Sequence, residues 1–222
     1  MNRIAGHARG EASWLQVIES RIGEQEFRRR LWHFLPGMIA FGLSGVPHLP
    51  TIRLWVMLLL VAFGVMLPAW LAIRYHKRYC RSKNENIVPS ILGYVIPVSI
   101  LALLFRSNVA IPLGVAGIIA FGDGSATLLG LLTQGRRIPW NTKKSWAGLF
   151  GFIIVGTVLA STIFWIAAPS TIGLLSAMLC VGPVVLVCAL LESLPLKMND
   201  NLTVGLTSAV LLPMMSLLVF GW

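Results

Sequence analysis

Charged residues are scarce in this chain of 222 residues, since only 12% are Asp, Glu, Lys or Arg and 56% are hydrophobic. An ordinary soluble domain carries about 25% charged residues. The mean hydropathy is +0.79, and the sequence shows no strict short repeat. These properties exclude a soluble globular protein, a disordered chain, a collagen and a coiled coil. They predict an all-α membrane protein that crosses the bilayer several times.

Cysteine is also rare, and Cys80, Cys180 and Cys188 are scattered and form no C-x-x-C pair. The sequence therefore favours buried free thiols over a disulfide framework or a zinc site. The net charge of +10 comes from short basic clusters between long apolar stretches. That pattern is typical of loops facing an anionic cytoplasmic leaflet, so no nucleic-acid partner is expected.

Apolar stretches long enough to cross the bilayer recur along the chain. About 30 Å of hydrocarbon needs roughly 17 to 25 helical residues. The stretches predict a bundle of about seven transmembrane helices, over residues 31–48, 54–73, 87–105, 109–132, 146–168, 170–191 and 202–222.

The distribution of basic residues predicts the orientation of this bundle. All of the 18 Lys and Arg residues except Arg53 and Arg106 lie in the N-terminal segment or in alternate connections. Positive residues near the ends of spans stay in the cytoplasm. We therefore expect a cytoplasmic N-terminus and an external C-terminus, with the protein in the inner (plasma) membrane.

The first 30 residues form a basic cytoplasmic segment that precedes a membrane-embedded domain over 31–222. They contain Arg and Glu throughout, so we do not expect a cleavable signal peptide. Trp14, Leu15, Ile18 and Ile22 recur at helical spacing, which suits an interfacial helix. A solvated tail fits this segment equally well.

Only eight acidic residues exist, and five of them lie in the N-terminal segment or the second cytoplasmic connection. The other three are Asp123, Glu192 and Asp200. An ionisable group within a span is costly unless it is paired or faces water, which makes Asp123 a functional candidate. The glycines beside it allow a ligand or another helix to approach closely, although small-residue helix packing explains them as well.

Glu192 ends the sixth span and Asp200 begins the seventh, so a tight connection should hold both at the cytoplasmic rim. With Asp123 they can bind Mg²⁺, which prefers one or two carboxylates together with water and phosphate oxygens. An ordinary solvated loop, with Asp200 capping the last helix, is the alternative.

The connection between the fourth and fifth spans is basic and contains Arg136, Arg137, Lys143 and Lys144. Lysines are mobile point charges that suit phosphate binding. The stretch over 141–145 is predicted to be a helix N-terminus that offers backbone N–H groups to a triphosphate. Retention of positive charge in the cytoplasm explains the sign of the charge in this loop but not the Gly, Asn, Ser and Trp residues that surround the basic residues.

Four segments together resemble the family of dolichol kinases, phytol kinases and CTP-dependent diacylglycerol kinases, which is distantly related to phosphatidate cytidylyltransferases. They are Arg29-Arg30-Leu31-Trp32-His33, Gly122-Asp123-Gly124-Ser125-Ala126, Lys144-Ser145-Trp146-Ala147-Gly148, and Glu192-Ser193 with Asn199-Asp200-Asn201. The resemblance covers roughly residues 28 to 210. Ala147 stands where the family usually has Glu, and Asn199 where an acid often precedes Asp200.

The resemblance implies a membrane lipid kinase that transfers the γ-phosphoryl group of CTP, or of ATP, to a lipid alcohol at the cytoplasmic face. The positions that match the family's motifs are Asp123, Lys144, Glu192, Asp200 and Asn201. The expected catalytic residues are Asp123 and Asp200, together with His33, which could orient or deprotonate the hydroxyl or be an ordinary interfacial histidine at the end of a span. Lys144 and Asn201, with Lys143 and Arg136 of the basic loop, are the expected nucleotide-binding residues, and Asp123, Glu192 and Asp200 are the expected Mg²⁺ ligands. The implied partners are therefore a membrane lipid and a nucleotide.

Other classes of function remain open. A cytidylyltransferase acting on a lipid phosphate would use the same fold and nucleotide. A transporter or a non-catalytic membrane scaffold is the second alternative, although no second Gly-Asp-Gly segment matches the first as an internal repeat would. The identity of the alcohol and the oligomeric state, a homo-oligomer included, are also open.

Overall fold

The computed structural model describes residues 22–45 and 88–222 and the single positions Trp55, Trp70 and Arg74. The segment over 1–21 and nearly all of the predicted second span therefore lie outside the described residues. The described helices are α1 (Glu24–Ser44), α2 (Val88–Leu104), α3 (Ala110–Gly117), α4 (Gly124–Thr133), α5 (Trp146–Ala167), α6 (Leu174–Ser193) and α7 (Asp200–Phe220). A π-helical segment, Ile118–Asp123, joins α3 to α4 without a break.

The helices reproduce the predicted all-α bundle within the described ranges. Four continuous helices there are long and apolar enough to cross a membrane: Ala110–Thr133, Trp146–Ala167, Leu174–Ser193 and Asp200–Phe220. Residues 91–104 of α2 form a shorter apolar helix. Helix α1 begins seven residues before the predicted span. Its first turns contain charged residues, which are compatible with a helix because Glu26 accepts hydrogen bonds from Arg29 and Arg30 about one turn later.

A two-stranded hairpin interrupts the helical pattern between α4 and α5. Strand β1 (Arg137–Ile138) pairs in antiparallel fashion with strand β2 (Asn141–Ser145) across a turn at Pro139 and Trp140. The prediction of a helix N-terminus over 141–145 is therefore wrong. The helix begins at Trp146 instead, because the extended Ser145 acts as N-cap and its hydroxyl accepts a hydrogen bond from the Gly148 N–H.

The core lies where α5 packs against α3, α4 and α6, while α7 packs against both α6 and α2. Phe152, Ile163 and Phe164 of α5 are fully buried there. Close contact between α2 and α7 depends on glycine, since a Cβ atom on Gly205 would lie 2.4 Å from the Gly93 carbonyl oxygen. This crossing fixes the start of α7 against α2, at the end of the bundle that carries the acidic residues.

Candidate active site

Side chains from five elements meet at one end of the bundle. His33 comes from α1, Asp123 from the end of the π-helical segment, Lys144 from β2, Glu192 from α6 and Asp200 from α7. Ion pairs join them into two groups, His33 with Asp123 and Lys144 with both Glu192 and Asp200. Residues far apart in the sequence, drawn from all four motifs, therefore converge on one place.

Asp123 is buried, with 5% of its surface exposed. Its Oδ2 lies 3.2 Å from His33 Nε2. Both flanking glycines are packing positions, since a Cβ on Gly122 would lie 2.5 Å from the Phe152 ring and one on Gly124 would lie 2.8 Å from the Phe34 ring. Small-residue packing thus accounts for the glycines but not for the buried carboxylate between them. The π-helical turn that ends at Asp123 is a form often found at functional sites.

The geometry around His33 assigns its tautomer. Its Nε2 lies 3.3 Å from the Ile119 carbonyl oxygen as well as 3.2 Å from Asp123 Oδ2. A carbonyl oxygen and a carboxylate oxygen can only accept hydrogen bonds, so Nε2 must carry the proton. In a neutral imidazole the other nitrogen, Nδ1, is then the atom able to accept a proton.

Lys144 is the basic residue that contacts the carboxylates of Glu192 and Asp200. Its ammonium group contacts Glu192 Oε1, and it donates a hydrogen bond of 2.8 Å to Asp200 Oδ2. Burial acts to lower the pKa of Lys144, but the carboxylates of Glu192, Asp200 and Asp123 act in the opposite direction and outweigh it, so the pKa lies above its ordinary value. Lys144 is therefore charged at neutral pH.

The hairpin that carries Lys144 is docked on the end of α6. Trp140 Nε1 donates to Ser193 Oγ at 3.2 Å, and Asn141 Nδ2 donates to the carbonyl oxygens of Ser193 and Leu194 at 3.2 and 3.3 Å. The Trp140 ring also meets the Trp146 ring edge to face. These contacts hold β2 beside Glu192. The sequence gives no signal for the role of Ser193, because a serine at a helix end has many ordinary uses.

Two predicted nucleotide-binding residues lie outside this cluster. Successive side chains of a strand point to opposite faces, and Lys143 is exposed while Lys144 is turned to the carboxylates. Arg136 is exposed before β1, and its carbonyl oxygen accepts a hydrogen bond from the Trp146 N–H. Within the described ranges no ion pair joins either residue to Asp123, Glu192 or Asp200.

The start of α7 also differs from one expectation. Asn199, not Asp200, caps the helix, because its side-chain oxygen accepts a hydrogen bond from the Asn201 N–H. Asp200 is thereby left to face Lys144. Asn201 is 9% exposed and lies where α7 crosses α2. Asn199, at the position where an acid was expected, thus has a structural function as the N-cap of α7.

The three carboxylates form a candidate cation site. Asp123, Glu192 and Asp200 each offer an oxygen, and these oxygens lie within 4.8 Å of one another. Asp123 and Glu192 are buried and Asp200 is exposed, so one side of the group faces outward. Hard oxygen donors with an open side fit Mg²⁺, which keeps water or phosphate in its remaining positions. The ammonium of Lys144 shows that this arrangement already accommodates a cation.

Known proteins with similar sequences are kinases of lipid alcohols. Over 219 residues the chain is 27% identical to a chloroplastic farnesol kinase of Arabidopsis thaliana, which covers 89% of this chain and 68% of that protein. The resemblance to the phytol kinase family is confirmed. A chloroplastic phytol kinase 1 of Arabidopsis thaliana is 27% identical over 133 residues, and a probable chloroplastic phytol kinase 3 of Glycine max is 32% identical over 123 residues.

These matches differ in how much of each protein they cover. The chain spans 43% of the Arabidopsis phytol kinase and 38% of the Glycine max protein, which is less than half of either. No protein-family model and no solved structure matches the chain. The similarity to kinases of lipid alcohols therefore rests on the curated sequences and on the motif residues that meet in the site.

Proposed function

We propose that this protein is a membrane lipid kinase that transfers the γ-phosphoryl group of CTP, or of ATP, to the hydroxyl group of a lipid alcohol. The observation that carries the proposal is the convergence of His33, Asp123, Lys144, Glu192 and Asp200 from four separate motifs. Phosphoryl transfer depends on positioning and charge neutralisation, and this cluster supplies carboxylates, an ammonium group and an imidazole within one small volume.

Asp123, Glu192 and Asp200 are the proposed ligands of Mg²⁺. The cation would neutralise phosphate charge during transfer. The protein's own contribution is to hold the three carboxylate oxygens within 4.8 Å of one another. Two are fixed by burial in α6 and the π-helical segment, while Asp200 lies at the exposed start of α7. A nucleotide can therefore approach the site from the side of Asp200.

The proposed nucleotide-binding residues are Lys144, Lys143, Arg136 and Asn201. Lys144 is closest to the carboxylates, so we assign it to the transferred phosphate and its neighbour. Lys143 and Arg136 are exposed at the same hairpin and are suited to the outer part of the nucleotide.

His33 is the proposed base for the alcohol. Its Nε2–H is held by Ile119 and Asp123, so Nδ1 would accept the hydroxyl proton as the alcohol oxygen attacks the γ-phosphorus. The bond from this phosphorus to the β–γ bridging oxygen breaks, and a nucleoside diphosphate leaves. The products are a lipid monophosphate and CDP or ADP.

The proposed acceptor is a lipid alcohol. The relatives are named for farnesol and phytol, so we propose a polyprenol or a phytol-like alcohol, with diacylglycerol as a further candidate. Trp140 is 46% exposed beside the site, and tryptophan at a membrane interface is suited to contact a lipid head group.

We further propose the seven-span topology, with residues 1–30 and the site in the cytoplasm at the inner membrane. The positive charge of the connections supports this orientation. In α1, His33 lies against Asp123 and Gly37 lies against Ala120, so this helix passes the site and then runs away from it. The first part of α2 lies near the site, because Gly93 packs against Leu202 at the start of α7. One crossing by the predicted span over 54–73 would join the far end of α1 to the start of α2.

The experiment that tests the function uses purified protein in detergent with Mg²⁺, CTP or ATP, and single lipid alcohols. We expect mass spectrometry to detect a lipid monophosphate with farnesol, phytol, a longer polyprenol or diacylglycerol. The Asp123→Asn variant controls for contaminating kinases. Absence of a lipid monophosphate with every alcohol and both nucleotides would contradict the proposal and favour a transporter or scaffold.

A further inference from the structure

Lys144 is placed on the residues proposed to bind a metal. Its ammonium contacts Glu192 Oε1 and lies 2.8 Å from Asp200 Oδ2. These two carboxylates, with Asp123, are the group whose oxygens lie within 4.8 Å of one another. The same two carboxylates, Glu192 and Asp200, therefore serve as partners of an ammonium group and as candidate ligands of a divalent cation.

The two cations would compete for these two carboxylates. A charge-assisted N–H···O bond is about 2.7 to 2.9 Å long, and Mg²⁺ binds oxygen at about 2.0 to 2.1 Å, so a metal ion bound by the same carboxylates would lie close to the ammonium group. The two cations would repel each other, most strongly beside Glu192, whose side chain is only 3% exposed and where water screens the charges poorly.

The burial of Glu192 favours a cation beside its ionised carboxylate. An ionised carboxylate buried without a partner is costly. In the arrangement described, Lys144 offsets that charge. Because its side chain is flexible, the ammonium can move without the strand, while Asn141 and Trp140 keep β2 attached to the end of α6.

We propose that Lys144 is a built-in counter-ion of Glu192 and Asp200, and that a divalent cation binds by displacing its ammonium group, which then turns to the nucleotide phosphates. This inference rests on the metal ligands given in the proposed function. It makes Lys144 a competitor of the metal in the free protein and a partner of the phosphates in the complex. Nucleotide and metal should consequently bind with positive coupling, because phosphate gives the displaced lysine a new partner.

The test is the affinity of the purified protein for Mn²⁺, measured without nucleotide or lipid by the electron paramagnetic resonance signal of the unbound ion. We expect Lys144→Met to bind Mn²⁺ more tightly than the wild type, on the order of ten-fold, as is typical for the loss of one competing charge-assisted contact. A lysine that only binds phosphate would leave this affinity unchanged.

Two variants separate competition from a general effect of charge. Lys144→Arg keeps the positive charge and should keep an affinity close to that of the wild type. Lys197→Met removes a lysine from the exposed connection between α6 and α7 and should also leave the affinity unchanged. Equal or weaker binding by Lys144→Met, or no Mn²⁺ binding by any of the proteins, would overturn the inference.

Thermal unfolding gives a second readout if Lys144→Met is unstable. A ligand of the folded state raises the unfolding temperature by an amount that grows with affinity. Mn²⁺ should therefore raise the unfolding temperature of Lys144→Met more than that of the wild type, and an equal or smaller rise would contradict the displacement. If the kinase function failed, no lipid phosphate would form, but Lys144→Met would still bind Mn²⁺ more tightly than the wild type.

Discussion

Replacement of Asp123 by Asn removes one negative charge from the site while keeping the size of the side chain. The carboxylate is 5% exposed, and its Oδ2 lies 3.2 Å from His33 Nε2. In the proposed site it makes two charged contacts, one with His33 and one with the cation. The Asn side chain can still accept a hydrogen bond from His33, but it cannot hold the cation as a carboxylate does.

The size of the effect follows from these contacts. A hydrogen bond to a charged group contributes about 1.5 to 3 kcal/mol, so weakening two of them costs about 3 to 6 kcal/mol in the transition state. Each 1.36 kcal/mol changes a rate about ten-fold. We therefore expect the turnover of Asp123→Asn to fall by on the order of 10² to 10⁴. The unfolding temperature should not fall, because removal of one charge relieves repulsion among three carboxylates.

The assay is transfer of label from γ-labelled nucleotide to an extractable lipid, with thermal unfolding recorded on the same preparation. Ser161→Ala is a matched control, since Ser161 is fully buried and its hydroxyl has no hydrogen-bond partner among the described residues. It lies 15 residues along α5 from Trp146, about 22 Å from the site end of that helix. Wild-type turnover in Asp123→Asn, or an equal loss in Ser161→Ala, would refute the assignment of Asp123.

Three further perturbations test the phosphate contact, the packing and the topology. Lys144→Ala should raise the KM for the nucleotide by on the order of ten-fold or more through loss of a charge-assisted phosphate contact; an unchanged KM in steady-state kinetics would contradict this. Gly148→Ala should lower the unfolding temperature by about 3 to 10 °C, since its Cβ would lie 2.6 Å from a backbone oxygen of α4 and overpacking costs about 1 to 3 kcal/mol. Gly42→Ala, with open space around it, is the control and should not lower it. Reporter tags after Lys197 and within 133–145 should report from the cytoplasm, and a tag after Trp222 from outside; a cytoplasmic tag at Trp222 would contradict the seven-span model.

Helix positions were predictable where long apolar runs are bounded by polar residues. The spans expected over 109–132 and 146–168 correspond to the continuous helices Ala110–Thr133 and Trp146–Ala167. The hairpin between them was not predictable, because β1 has only two residues and the strands show no apolar alternation. Its position depends on Trp140 and Asn141 binding the end of α6, a contact that local sequence does not encode.

The acidic part of the candidate site could be predicted from the sequence because charges are rare in an apolar chain. Asp123, Glu192 and Asp200 are the acidic residues left after the polar segments are set aside, and the structure brings them together. The different surroundings of Lys143 and Lys144 could not be inferred, since adjacent lysines have the same local signal until a strand turns them to opposite faces. The contact of Lys144 with the acids likewise depends on tertiary structure.

The identity of the phosphorus atom that reaches the lipid distinguishes a kinase from a cytidylyltransferase directly. A kinase transfers the γ-phosphoryl group and releases a nucleoside diphosphate, whereas a cytidylyltransferase joins the α-phosphorus to a lipid phosphate and releases pyrophosphate. Membranes containing this protein are supplied with Mg²⁺, a lipid alcohol, a lipid phosphate and CTP labelled at either the α or the γ position. We predict γ label and no α label in the lipid fraction, dependent on the alcohol and absent with Asp123→Asn. Appearance of α label in the lipid, dependent on the lipid phosphate, would contradict the kinase assignment.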